Sequence, residues 1–372
     1  ERFNLLTENW LPVLRHNGVV ERVGVVRALT EATKIRDIAA SNPMDRLALI
    51  RFLLALLYWC KGGPPEGYGD AAGDFPEGWF RRAEERRDCF NLFGPGPRFL
   101  QRRLASDDGR AGRLPATYLI HEVPTGTNKW HFRHATDMAD GLCPACCAMG
   151  LLRLPLFATS GGQGKPPGIN AKPPVYALCI GSSLGATLRH LWCHVEDVGV
   201  PFWEQPDMML PQEGRIPLLT GLTWVPRRVW LDAPAAPVTA CMSCGRKGPL
   251  VRRCIFAGVG SMKTEEDAAP RDWRDPHVIY ETDRKGRMLS VHASDALGAG
   301  DAAAGQWSKL LAAVLRAQEG VRAVERQAAT GGRGTPAERI WLVGFSTVQN
   351  DKYLEALEFN FPFSSSAEES AA

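Results

Sequence analysis

The sequence predicts an α+β (mixed α/β) protein with much irregular chain, in which β-hairpins and helices are stapled by a four-cysteine zinc site. Three observations carry that expectation. Two short valine- and leucine-bearing stretches, 11–14 and 19–23, flank Asn17-Gly18, a dipeptide that tolerates the positive φ angles of a tight hairpin turn. Leu47, Ile50, Leu53, Leu54 and Leu57 recur at helical spacing. Cys143-Pro144-Ala145-Cys146 and Cys241-Met242-Ser243-Cys244 are paired thiols whose two-residue spacing lets both sulfurs of each pair reach one tetrahedral ion.

The 372 residues are 45% hydrophobic and 23% charged, enough apolar material for a sizeable core and for more than one structural unit. A net charge of +3, from 44 Lys and Arg against 41 Asp and Glu, argues against a protein that coats nucleic acid over its whole surface. Any such role must sit on local patches. Arginines cluster at Arg81-Arg82, Arg86-Arg87, Arg102-Arg103, Arg227-Arg228 and Arg252-Arg253, where the plain reading is solvated helix faces and loops. The longest apolar run, 47–59, is broken by Arg51 and too short to span a bilayer, and no signal peptide is visible, so the expected location is the cytoplasm. Glu1 in place of an initiator methionine and the polar tail 364–370 suggest a fragment.

Taken in order, residues 3–25 read as the first hairpin. Asn42 then caps a helix that opens with Pro43 at its first position. A Gly/Pro-rich loop over 62–78 leads to a short helix over 79–87, followed by aromatic, Pro-interrupted chain over 89–101. The stretch 123–132 has turn chemistry and an exposed-looking Asn128-Lys129-Trp130, either a phosphate- and base-touching loop or a surface turn with Trp130 packed inward. A helix leaves the first cysteine pair over 145–157 and runs into Gly161-Gly162-Gln163-Gly164-Lys165, where backbone amides could approach a phosphate closely; the order is not that of a Walker loop. A buried strand over 175–180, a helix over 184–195 and irregular Pro- and Trp-rich chain over 201–237 precede the second pair. Beyond it lie a small-residue loop presenting Lys263, a second hairpin over 277–292, a helix over 307–326, a strand over 340–345, the polar loop 346–352 and a strand over 353–359.

Two CxxC pairs supply four ligands: Cys143, Cys146, Cys241 and Cys244. Four thiolates close a zinc site and leave no position for water or substrate, so the site is expected to staple distant segments rather than catalyse. Cys60, Cys89, Cys147, Cys179, Cys193 and Cys254 sit mostly among apolar neighbours, with Cys147 the substitute ligand if the register differs. Two rival readings of the metal remain: a redox CxxC, which would follow a strand, and a zinc-dependent nucleobase deaminase built from His194, Glu196, Cys241 and Cys244, whose signature has proline where Ala240 stands. A third reading is a zinc-stapled scaffold that binds only proteins.

Several stretches then fall in a familiar order: Phe3-Asn4-Leu5-Leu6-Thr7-Glu8-Asn9-Trp10-Leu11-Pro12-Val13, the helix ending Leu56-Leu57-Tyr58, Phe90-Asn91-Leu92-Phe93, Pro97-Arg98-Phe99-Leu100-Gln101, Pro124-Thr125-Gly126-Thr127-Asn128-Lys129, Phe157-Ala158-Thr159-Ser160-Gly161-Gly162 and Gly344-Phe345-Ser346. With the paired CxxC they resemble, over nearly the whole chain, the large subunit of the type I-E CRISPR surveillance complex, the Cascade subunit called CasA. The resemblance rests on the order of the motifs. It implies a non-enzymatic subunit with a zinc-containing N-terminal domain, here 1–360. A C-terminal four-helix bundle would follow; it is absent from this chain, and 361–372 would be a polar tail beginning the linker to it.

What the resemblance implies about function is specific. The large domain would read the protospacer-adjacent motif on double-stranded DNA from the minor groove, promote duplex opening and R-loop formation with the guide RNA, and help recruit the helicase-nuclease. Its partners would be target DNA, guide RNA, and the small and backbone Cascade subunits, with no membrane. Carried over by position, Gly161, Gly162 and Gly164, with Lys165 beside them, would lie along the groove; Lys263 would reach base edges; and Gln349, with Asn350, would form a wedge that unstacks a base step. Thr127, Asn128, Lys129 and Trp130 would contact the guide RNA's 5′ end and neighbouring subunits.

Overall fold

In the computed structural model, residues 2–65, 73–102, 113–122, 129–130, 133–134, 141–158, 167–170, 173–210, 214–259, 271–282, 284–292, 337–348 and 353–362 are described. Strands β1 (Leu11–Arg15) and β2 (Val20–Val23) form the expected hairpin, with Gly18 at φ +83° and Asn17 Oδ1 accepting the Val19 N–H at 3.1 Å. Leu11 faces Val23 and Leu14 faces Val20, a register that puts Leu11, Val13 and Val23 into the core. Helix α1 (Val25–Thr30) follows. Then β3 (Ile35–Ile38) pairs antiparallel with the free edge of β1, giving the order β2-β1-β3.

The molecule is built round α2 (Pro43–Lys61). Asn42 Oδ1 accepts the Met44 N–H at 2.8 Å, satisfying one orphan donor of the first turn, and Pro43 occupies a position whose N–H has no partner anyway. At the other end Gly62, at φ +81°, donates its N–H to Tyr58 O at 2.8 Å. Every residue from Met44 to Trp59 except Asp45 is buried, so the helix is enclosed on all sides rather than lying as an amphipathic stripe. Two arginines are therefore taken inside, each with a carboxylate. Arg46 donates to Asp37 at 2.6 Å and reaches Glu358 at 3.3 Å, and Arg51 grips Asp275 with two bonds of 2.6 and 2.7 Å.

After a 3-10 turn (Glu77–Phe80), α3 (Arg81–Glu85) and a second 3-10 turn (Arg87–Phe90) realise the expected short helix. Trp203 is the hub of the aromatic core, with ring centroids 5.8–5.9 Å from Phe52, Trp59, Phe90 and Phe99. Such ring pairs add about 0.5–1.5 kcal/mol each beyond burial. The chain continues through β4 (Arg113–Pro115), a 3-10 turn (Ala116–Leu119), the two-residue strands β5 (Lys129–Trp130) and β6 (Arg133–His134), α4 (Pro144–Phe157), β7 (Tyr176–Ile180) and α5 (Leu184–Leu191). Helix α5 stops four residues short of the expected 195: the Cys193 backbone is held instead by Tyr58, whose hydroxyl donates to Cys193 O and accepts its N–H, both at 2.8 Å.

The stretch 201–237, expected to be irregular, contains β8 (Gly214–Arg215), α6 (Leu218–Thr223), β9 (Arg227–Leu231) and the start of β10 (Ala235–Ala240). Then come β11 (Lys247–Leu250), β12 (Arg253–Gly258), β13 (Arg271–Asp272), the hairpin β14 (Tyr280–Thr282) and β15 (Met288–Ser290), and the ten-residue strands β16 (Arg339–Val348) and β17 (Tyr353–Pro362). Two three-stranded sheets result, β4-β12-β9 and β17-β16-β7, and α2 packs against α4, α5 and α6. The expected helix 307–326 lies outside the described residues. Among the described residues no helix is long and apolar enough to cross a membrane.

Of the arginine pairs expected on solvated faces and loops, Arg82 and Arg86 are exposed as expected, whereas Arg102 and Arg227 are buried. Arg82 and Arg86 both reach Glu204, at 2.9 and 3.4 Å, while the buried Arg102 donates to Pro206 O and Met208 O at 2.6 and 2.9 Å. Burial also brings the Arg227 guanidinium down to about 10.

Candidate metal centre

The first cysteine pair is set by the start of α4. Cys143 occupies the N-cap in extended conformation, Pro144 begins the helix, and Cys146 follows within its first turn. The second pair is the turn between β10 and β11. Cys241 O accepts the Gly245 N–H at 2.8 Å, with Gly245 at φ +72°, a left-handed position suited to glycine, and Cys241 N–H donates to Arg246 O at 2.8 Å. The two pairs are brought together by an antiparallel bridge, Leu142 to Val251, with bonds of 2.9 and 2.8 Å, and by Met242 N–H donating to Gly141 O at 3.3 Å. Gly141 is required there: at φ +105°, its Cβ position would fall 2.6 Å from Val251 O.

All four sulfurs lie within 4.8 Å of one another, and the Sγ atoms of Cys143 and Cys244 are 3.7 Å apart. A cation bonded to four sulfurs at about 2.3 Å holds them about 3.8 Å apart, so the residues fit one tetrahedral ion. Cys143 N–H donates to the Cys241 Sγ at 3.2 Å, the amide-to-sulfur bond that stabilises a thiolate ligand. Hydrogen bonding within the group holds the Cys241 thiol far below its ordinary range and draws Cys244 down to about 6, while its partners Cys143 and Cys146 are pushed up, Cys143 to about 12. Cys143 and Cys241 are buried and Cys244 is exposed, so an ion here would sit at the rim of the core.

Cys147 points away from the group: it is fully buried, its Sγ lies 4.0 Å from Leu142 O, and burial pushes its thiol well above the usual value. The deaminase ligand set is not assembled. His194 lies against Gly63 beyond the end of α2, Glu196 pairs with Arg215 at 2.6 Å, and the candidate metal group among the described residues is the four cysteines.

Of the residues carried over by resemblance, Thr127, Asn128, Gly161, Gly162, Gly164, Lys165, Lys263, Gln349 and Asn350 lie outside the described residues, and Lys129 and Trp130 form β5, opposite His134 and Arg133. The stems flanking them are described. Gly168 N–H donates to Ala158 O at 2.7 Å, closing the base of 159–167. Phe157, the last residue of α4, meets Phe345 of β16 edge to face with centroids 4.4 Å apart. Asn170 accepts from Trp273 Nε1 at 2.9 Å and donates to Asp275 at 3.2 Å. The chain leaving 159–167, the chain leaving 260–270 and the stem of the β16–β17 hairpin therefore meet within one packed region. The sequence carries no periodicity that announces the Arg51–Asp275–Asn170 cluster; its one signal is Arg51 inside the otherwise apolar run 47–59.

Fold and site together define a mixed α+β protein, cross-braced by a closed four-sulfur centre, with its loop stems gathered beside the β17-β16-β7 sheet. The sequence profile of CRISPR-associated protein Cse1 matches residues 4–372, and the chain belongs to that family. It is 33% identical over 313 residues to a CRISPR-associated protein CasA/Cse1 of Thermus thermophilus, an alignment covering 79% of this chain and 58% of that relative. The chain thus spans under two thirds of that curated protein's length. Its fold is similar to a crystal structure of Thermus thermophilus CasA, with a TM-score of 0.69 at 24% identity over 97% of this chain and 72% of that one. It is also similar to a chain of a CRISPR RNA-guided surveillance complex, with a TM-score of 0.68 at 17% identity over 100% and 78% of the two chains.

Proposed function

We propose that this chain is the recognition part of a Cascade large subunit, without catalysis of its own. It reads the protospacer-adjacent motif on double-stranded DNA, promotes duplex opening so that guide RNA pairs with the target strand, and helps present the complex to the helicase-nuclease. Family membership supports the assignment to a Cascade-type assembly. The observation that carries the DNA-reading part is the convergence of stems: Phe157 on Phe345 at 4.4 Å, and Asn170 bonded to both Trp273 and Asp275. Segments whose flanking residues pack in one region have the common base that groove reading by several small contacts requires. In this reading Gly161, Gly162 and Gly164 let backbone approach the groove, Lys263 supplies the base-edge contact, and Gln349 unstacks the adjoining step.

The metal in this reading is zinc. Four thiolates at tetrahedral separation suit it, and four protein ligands leave no position for a substrate, so its part is structural. Lys129 and Trp130, with Thr127 and Asn128, would face guide RNA and neighbouring subunits. The experiment is duplex binding by the reconstituted complex at fixed salt, with matched and motif-scrambled targets. Lys263→Ala and Gln349→Ala are each expected to weaken motif-dependent binding about tenfold or more while leaving scrambled-target binding unchanged. Both variants binding and opening DNA as the wild type does would sink the proposal.

A further inference from the structure

Asn170 lies just past the base of 159–167, and its side-chain amide is bonded in two directions. Its Oδ1 accepts from Trp273 Nε1 at 2.9 Å and its Nδ2 donates to Asp275 Oδ2 at 3.2 Å. Trp273 and Asp275 belong to the chain that leaves 260–270, so one side chain ties the two stems together.

The far side of the clasp is rigid. Asp275 is 2% exposed, and Arg51 of the central helix holds it with bonds of 2.6 and 2.7 Å. It also accepts from its own neighbour, His277 N–H, at 3.0 Å, while the Asp275 N–H donates to the Tyr280 hydroxyl at 2.8 Å. Arg51 donates in addition to His277 Nδ1 at 2.9 Å, which assigns that imidazole as neutral. The ring of Trp273 is fixed from below by Gly221 of α6, where a Cβ would lie 2.2 Å from the ring atoms. Moving Asn170 breaks its bond to the buried carboxylate, and moving the Trp273 ring further toward Gly221 would enter α6.

We infer that Asn170 is a positioning residue: through Trp273 and Asp275 it fixes the spacing between the chain leaving 159–167 and the chain leaving 260–270. This rests on the DNA-reading proposal for its consequence, since the residues which that proposal assigns, Gly161, Gly162 and Lys263, precede these two stems in the chain. It does not rest on that proposal for the clasp itself. Asn170 touches no DNA in this account; it acts through the two stems.

The test uses the assembled complex with four variants: Asn170→Ala, Trp273→Phe, which removes the indole donor and shortens the ring, Gly221→Ala, which drives the ring off without touching Asn170, and Lys263→Ala. Amide hydrogen exchange without DNA is expected to rise together at 168–170 and 271–277 in the first three; a rise on one stem alone overturns the clasp. Motif-dependent affinity is expected to fall about tenfold in Asn170→Ala, the scale of lost buried hydrogen bonds, with scrambled-target affinity unchanged. Combined with Lys263→Ala it should add less than about twofold, because coupled residues are not additive. If Lys263→Ala weakens binding while Asn170→Ala, Trp273→Phe and Gly221→Ala all leave it intact, the positioning role is wrong and the DNA reading stands. If exchange rises on both stems but Lys263→Ala has no effect, the clasp stands and the DNA reading falls. Should Asn170→Ala fail to assemble, the Trp273→Phe and Gly221→Ala complexes carry the same comparison.

Discussion

Stripping the metal from the four-sulfur centre should cost the protein about a third to most of its stability without unfolding it outright. Clamping Cys146 to Cys241 closes a loop of roughly a hundred residues, and cross-linking a loop that long removes chain entropy worth about 4.7 kcal/mol. Set against about 5–15 kcal/mol for a folded domain, that is a large share. The Leu142–Val251 bridge and the Met242-to-Gly141 bond survive chelation, so the knuckles lose their clamp but keep their neighbours. Tryptophan fluorescence will follow urea unfolding, since Trp203, Trp59 and Trp10 lie in the buried core. With a slope near the upper end of about 1–3 kcal/mol per molar urea, the midpoint is expected to fall by about 1.5 M after chelation and to recover on adding zinc. Cys241→Ala should reproduce the drop and no longer respond to zinc. A midpoint that moves by less than about 0.3 M, in protein shown by metal assay to be stripped, would refute the staple.

Asp275→Asn leaves the Arg51 charge buried without its counter-ion and should cost about 3–5 kcal/mol at neutral pH, measured by urea unfolding. Burial alone would raise the Asp275 carboxyl, but Arg51 holds it well below the usual carboxylate range; the stability it contributes is present above about pH 4 and is lost as pH falls toward the lower folded value, so the gap between variant and wild type should close in acid. Replacing both partners, Arg51→Met with Asp275→Leu, should recover most of the loss. Gly150→Ala on α4 would put a Cβ 2.5 Å from that of Leu119 and 2.9 Å from its carbonyl oxygen, and should cost about 1–3 kcal/mol by the same assay despite alanine's better helix propensity. Asn42→Ala removes the cap of α2 and should cost about 1 kcal/mol, with Asn42→Ser largely neutral.

Local chemistry made some of this protein legible and hid the rest. Asn17-Gly18, Asn42-Pro43 and the two CxxC pairs each specify a geometry within four residues, and each is realised as expected. The burial of α2 on every face was not legible, because the partners of Arg46 and Arg51 are Asp37, Glu358 and Asp275, two of them hundreds of residues away. Tertiary contacts likewise overrode propensity at the end of α5, where Tyr58 captures the Cys193 backbone. Strands β9 and β12 were hidden for another reason: five- and six-residue strands among Pro, Trp and Arg show no clean alternation, and long-range pairing decides them. The cysteines of the candidate centre could be read from spacing alone, whereas Asn170, Trp273 and Asp275 are ordinary loop residues until the fold brings them together.

Photo-crosslinking shows whether separate segments of this chain read one short stretch of duplex. A photoreactive residue is placed in turn at positions 162, 263 and 349 of the assembled complex, and crosslinked bases are mapped on a matched target. All three positions are expected to label the motif and its adjoining base step, with labelling lost on a motif-scrambled duplex. Crosslinks from the three positions that fall on protein subunits, or on duplex remote from the motif, would contradict it.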